Sequence, residues 1–112
     1  MYLFEFEVSE MMKAAHFMEV PLVFSNTHLT PGMRQPETSQ VESQICDAWI
    51  AFARTINPNH PGIPEWPVYT IENRVTMIFD VESHVVMDPR REELSAWEGT
   101  SLEPMRRKHP VQ

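Results

Sequence analysis

Glycine is scarce in this chain, with three among 112 residues. Gly32, Gly62 and Gly99 stand far apart, and no two of them frame a serine as Gly-x-Ser-x-Gly. That spacing lets a sharp strand-to-helix turn expose a nucleophilic serine, so no such elbow is encoded here. Cysteine is scarcer still. Cys46 is alone, which excludes an internal disulfide. It falls within an apolar helical stripe and is expected to be a buried, inert thiol. No apolar run approaches the ~20 residues of a membrane-spanning helix. The start, Met1 to Glu7, is acidic and alternating, unlike the basic and then apolar start of a signal peptide. Basic charge is also short. Nine Lys and Arg against sixteen Asp and Glu leave a net charge of −7. This balance repels phosphate and argues against nucleic acid as a partner. The single basic cluster, Arg106-Arg107-Lys108-His109, reads as a solvated end.

What is present suits a folded chain of small-domain size, 42% hydrophobic and 10% aromatic. Residues 2–8 alternate, with Tyr2, Phe4, Phe6 and Val8 on one face and Leu3, Glu5 and Glu7 on the other. Period two with aromatics predicts a strand. A loop over 9–18 carries His16, and Pro21 suits the first turn of a short helix over Val20–Phe24. Residues 25–37 are polar and turn-rich. Ser39-x-x-Glu42 then has the form of a capping box. Behind it, Val41, Ile45, Ala48, Trp49, Phe52 and Ile56 fall at helical spacing, predicting a helix over 39–56 that buries this face. It ends at Asn57-Pro58. Four prolines between 57 and 67 predict a stiff crossing without regular structure. Residues 74–80 and 84–87 predict a hairpin. Asp88-Pro89 predicts the cap of a helix over 89–98, which Gly99 stops. From Thr100 onward a poorly ordered tail is expected.

These elements do not close on themselves. The leading strand needs neighbours for its backbone groups. Read this way, it keeps neither flanking strand within the chain. The pieces suit the edge of a larger sheet protein better than an independent domain.

The segment Ala14-Ala15-His16-Phe17-Met18-Glu19-Val20-Pro21-Leu22-Val23-Phe24-Ser25-Asn26 carries the strongest local signal. It resembles the stretch around the catalytic histidine of type-B carboxylesterases, the α/β-hydrolases that include para-nitrobenzyl esterases and cholinesterases. Trp49-Ile50-Ala51-Phe52-Ala53-Arg54-Thr55-Ile56-Asn57-Pro58-Asn59 is similar to the family's long helix and the turn after it. Pro64 to Tyr69, Arg74 to Asp80 and Val85 to Glu93 follow in family order. The resemblance covers roughly residues 2–98. It implies an α/β fold in which residues 1–99 are the C-terminal segment of an incomplete carboxylesterase domain, with a disordered tail at 100–112.

The resemblance makes His16 the triad histidine, which acts as general base and then general acid in acyl transfer to water. It gives Glu19 a supporting place as a buried, hydrogen-bonded acid near the site. In this fold the triad runs Ser, acid, His along the chain, so nucleophile and acid are expected upstream. The chain alone is then expected to be inactive. A small-molecule ester is the implied substrate of the intact enzyme, and the missing N-terminal portion of the same fold is the implied partner. No cofactor and no metal are implied. A soluble, cytoplasmic setting is expected. The rival reading is a non-catalytic cholinesterase-like binding module or a degenerate truncated reading frame. Two positions depart from the family: Phe17 replaces a usual glycine or alanine, and Ser25 a common glycine.

Other candidates carry less. His28, His60, His84 and His109 lack metal-ligand spacing. Asp80, Glu82 and Asp88 lack the spacing of a calcium loop. Glu5 and Glu7 share a strand face without forming an evident glycosidase pair. Met11-Met12, beside the His16 loop, is expected to pack rather than to line a substrate entrance.

Overall fold

A computed structural model describes residues 1–100. The expected tail beyond Thr100, with its basic cluster, lies outside the described residues. Three strands form one sheet in the order β1 (Tyr2–Phe4), β2 (Val75–Phe79), β3 (His84–Met87). β1 pairs parallel to β2, with Tyr2 opposite Met77 and Phe4 opposite Phe79. β2 pairs antiparallel to β3, the hairpin expected from the sequence. The long crossover from β1 to β2 carries α1 (Val20–Val23), a 3-10 turn at Thr27–Leu29 and α2 (Thr38–Thr55). After β3 comes α3 (Arg91–Trp97). This is a mixed three-stranded α/β arrangement, as expected for part of an α/β-hydrolase.

The central strand Val-Thr-Met-Ile-Phe is buried at all five positions. A continuous apolar run of this kind marks a strand covered on both faces. Phe6, Val8, Leu22, Met33, Val41, Ile45, Ala48, Met77 and Phe79 make the core. α1 belongs to it through Leu22, which is fully buried.

Four expectations are corrected. The leading strand does not lack both neighbours, because β2 pairs with one of its edges. Its ladder also stops at Phe4 rather than Val8. The N–H groups of Glu5 and Phe6 both donate to the Phe79 carbonyl, the last of β2, at 2.9 and 3.2 Å. The alternation continues regardless: Phe6 and Val8 are buried, Glu5 and Glu7 exposed.

The capping box does not form. α2 starts at Thr38 and no side chain caps it. The Glu42 carboxylate instead accepts hydrogen bonds from the Ser25 and Thr27 hydroxyls. Two hydroxyl donors from the facing loop outcompete one backbone N–H at the helix start.

The buried face of α2 is Thr38, Val41, Gln44, Ile45 and Ala48. Trp49 and Phe52 are 45% and 48% exposed, and Ile56 is more so. The helical period was right, but the sheet facing the last turns of α2 is too narrow to cover them. They open instead onto a groove.

Asp88 does not cap α3. It has a left-handed backbone (φ +50°) and α3 starts three residues later, at Arg91. Its Oδ2 accepts from Arg74 at 3.3 Å and forms an ion pair with Arg91 at 3.0 Å, while Oδ1 is buried without a partner among the described residues. The arginines compete successfully for the carboxylate that a cap would have used.

The proline-rich crossing is irregular, as expected. Asn59 pins it: its Oδ1 accepts from the Trp66 N–H at 2.6 Å and its Nδ2 donates to the Trp66 carbonyl at 3.0 Å. Trp66 thereby stacks edge-on against Phe79, with centroids 5.8 Å apart.

Candidate active site

His16 stands on the loop that leaves the C-terminal end of β1, and its side chain is exposed. In open α/β sheets this is the end where ligands bind. The loop is built from successive tight turns. Ser9 Oγ accepts the Met12 N–H at 3.1 Å, and the Val8 N–H donates to the Lys13 carbonyl. Past the histidine, Met18 N–H donates to Ala15 and Val20 N–H to Phe17. α1 follows directly, with Pro21 in its first turn as the sequence suggested. Among the described residues no hydrogen bond to the His16 ring is formed.

The two positions where the resemblance leads one to expect a small residue have a distinctive backbone. Phe17 has φ +77° and Ser25 φ +50°. Both lie in the left-handed region that glycine enters without a Cβ penalty. At both positions the loop takes a course that suits glycine. Phe17 is 59% exposed beside His16. Met11 and Met12 are exposed too, contrary to the expectation that they pack.

Glu19, expected as a buried, hydrogen-bonded acid, is half-buried at the start of α1, and its side chain makes no hydrogen bond among the described residues. Its charge acts on Tyr2. Burial first, and the Glu19 carboxylate second, push the Tyr2 phenol above its ordinary value of 10.0. The fold therefore favours the neutral phenol. That contribution is complete below pH 10.0 and is lost as pH climbs through the raised value. Glu19→Gln is expected to lower the Tyr2 titration midpoint while leaving it above 10.0, as followed by phenolate absorbance. A midpoint unmoved by the substitution would separate the two groups.

The remaining candidates do not join the site. Both His60 nitrogens serve structure: Nδ1 accepts the Gly62 N–H at 3.1 Å, so Nε2 donates to the Gln44 carbonyl at 3.0 Å. His28 is exposed; His84 is exposed and bonded to the Glu82 carbonyl. His109 lies outside the described residues. Asp80 accepts from the Val81 N–H and Asp88 is held by arginines, so neither meets Glu82 around an ion. Glu7 pairs with Lys13 at 2.7 Å in the open. Cys46 is half-buried; burial, then the Asp47 and Glu42 charges, push its thiol up. This disfavours the reactive thiolate, consistent with an inert cysteine.

A groove of about 680 Å³ lies elsewhere, between the sheet and the last turns of α2. Trp49, Phe52, Trp66, Tyr69, Tyr2 and Phe79 line it; His16 and Glu19 do not.

Residues 1–97 match the carboxylesterase family. The chain belongs to that family. It is 38% identical to the para-nitrobenzyl esterase of Bacillus subtilis over 84 residues, covering 71% of this chain and 17% of that protein. An esterase structure from Clostridium hathewayi, described as hydrolysing aliphatic aromatic polyesters, superposes with a TM-score of 0.78 at 39% identity. That match covers 84% of this chain and 19% of that one. A carboxylesterase structure from Geobacillus stearothermophilus gives 0.76 at 38% identity, covering 88% and 21%. The chain thus spans about a fifth of the length of these relatives. No helix among the described residues is long and apolar enough to cross a membrane.

Sequence reasoning missed Glu42, which it assigned to a helix cap. The contact is between loop and helix, 15 and 17 residues apart. Nothing in local spacing announces it.

Proposed function

We propose that this chain supplies the histidine of a serine carboxylesterase, and that His16 accepts the nucleophile's proton and returns it to the leaving alcohol. The observation that carries the proposal is a family-matched loop that presents an exposed His16 past the C-terminal end of β1. The nucleophilic serine, the triad acid and the oxyanion hole come from an upstream portion of the same fold. Glu19, three residues on from the histidine, has a supporting place. The substrates are small carboxylic esters, in keeping with the esterase relatives. No cofactor takes part in this chemistry.

The open surfaces support such an assembly. On its other side β1 is unpaired among the described residues, and α3 buries no residue. An unpaired edge and an uncovered apolar groove invite association. Alone, the chain is expected to self-associate at low micromolar concentration despite its charge of −7, and to leave p-nitrophenyl butyrate intact.

The test is complementation. Co-expression with the upstream portion of the Bacillus subtilis para-nitrobenzyl esterase is expected to yield a defined complex that hydrolyses the ester and reacts with a serine-directed phosphonate. A stable complex without turnover would favour the rival binding module. A monomeric, cooperatively melting chain that ignores the upstream portion would defeat the assembly.

A further inference from the structure

We propose that Glu42 is a positioning residue for His16, acting through a carboxylate clamp on Ser25 and Thr27. The inference rests on the reading of His16 as the triad histidine. Ser25 Oγ donates to Glu42 Oε1 and Thr27 Oγ1 to Oε2, so both carboxylate oxygens are engaged. Hydroxyl-to-carboxylate bonds are charge-assisted and stronger than neutral ones. The two donors come from the segment that leaves α1. The acceptor sits on α2 next to Val41 and near Ile45, both fully buried, so it is anchored on a rigid element.

From His16 to Thr27 the chain is tied mainly to itself. Met18 N–H reaches Ala15, Val20 reaches Phe17, Ser25 reaches Leu22 and Asn26 reaches Pro21. Each bond fixes a turn internally without fixing the segment to the body. Leu22 anchors it by burial, and Met18 and Val23 pack against the core. The clamp adds a polar, directional tie to α2 beyond these apolar contacts, at the turn that leaves α1. The clamp also explains how serine holds a glycine-like conformation at φ +50°. Its hydroxyl gains a charged acceptor there, which offsets the strain of its Cβ. Losing the carboxylate leaves Ser25 strained and the turn free to relax. A histidine displaced by about an ångström loses on the order of 10²-fold in rate.

The test uses the complemented assembly, with turnover counted per site titrated by phosphonate. Glu42→Ala is expected to lower kcat per titrated site by about 10- to 100-fold with KM nearly unchanged. Adding Ser25→Gly is expected to recover most of the loss, because glycine needs no compensation at that φ. Glu42→Gln keeps one acceptor oxygen and is expected to fall between. A merely structural role would reduce the number of titratable sites, not their kcat. Amide hydrogen exchange gives a readout independent of turnover: in the full chain, Glu42→Ala is expected to speed exchange at Ser25 and Asn26 by about tenfold. Unchanged exchange there would overturn the clamp. Unchanged kcat per site, or no recovery with Ser25→Gly, would overturn the positioning role. An inactive wild-type assembly would overturn the His16 reading and the positioning role with it, while exchange would still report whether the clamp exists.

Discussion

His16→Ala is expected to lower ester turnover of the complemented assembly by at least about 10⁴-fold, with the substrate still bound. The size follows from the role proposed for it. Without a base the attacking serine keeps its proton, and so does the water that clears the acyl-enzyme. Alanine removes both functions at once. The position is exposed and its ring makes no hydrogen bond among the described residues, so stability should hardly change. The experiment is kcat per mole of purified complex on p-nitrophenyl butyrate at one fixed pH. Glu19→Gln provides the contrast: a supporting acid should cost far less. A loss below about tenfold for His16→Ala would end the assignment of His16 as general base.

How much of this was legible in the sequence depends on the range of the interactions. Short-range signals were reliable. Pro21 marked α1, period two marked the Phe6 and Val8 face, and Asn57-Pro58 came within two residues of the end of α2. The β2–β3 hairpin was visible because its two runs are separated by a short turn. Failures came wherever a side chain had a choice between a local and a distant partner. Glu42 could cap its own helix or receive hydroxyls from the loop after α1. Asp88 could cap α3 or pair with Arg74, 14 residues back in the chain. In both cases charge-assisted bonds to groups remote in sequence or on another element won. The pairing of β1 with β2 was missed for the same reason, since more than seventy residues separate Tyr2 from Met77. The α2 stripe shows another limit. Helical spacing names a face, but only the extent of the sheet decides how far along it burial reaches. At the site, the resemblance singled out His16 and Glu19, while the left-handed backbone at Phe17 and Ser25 required coordinates.

Phe79→Ala is expected to destabilise the fold by about 3–5 kcal/mol, the usual cost of deleting a buried aromatic side chain. Phe79 is 1% exposed at the end of the central strand. Tyr2 meets its ring edge-on at 5.6 Å from one element, and Trp66 at 5.8 Å from another. Those contacts join β1 and the proline-rich crossing to β2. Neither neighbour is free to refill the space. Tyr2 is fixed by strand pairing, and Trp66 is held through its backbone by Asn59. Losing both edge-on contacts as well as the burial of the ring keeps the cost within this range. Against a total stability of about 5–15 kcal/mol for a typical domain, such a loss leaves little folded protein. Phe52→Ala is the matched control. Its ring has the same size but is 48% exposed, so it should cost well under half as much. Urea unfolding at submicromolar concentration, followed by tryptophan fluorescence, compares the two. Equal costs would mean that Phe52 is covered in solution, by a second copy or by a rearranged crossing, and that the groove beside α2 is not open as described.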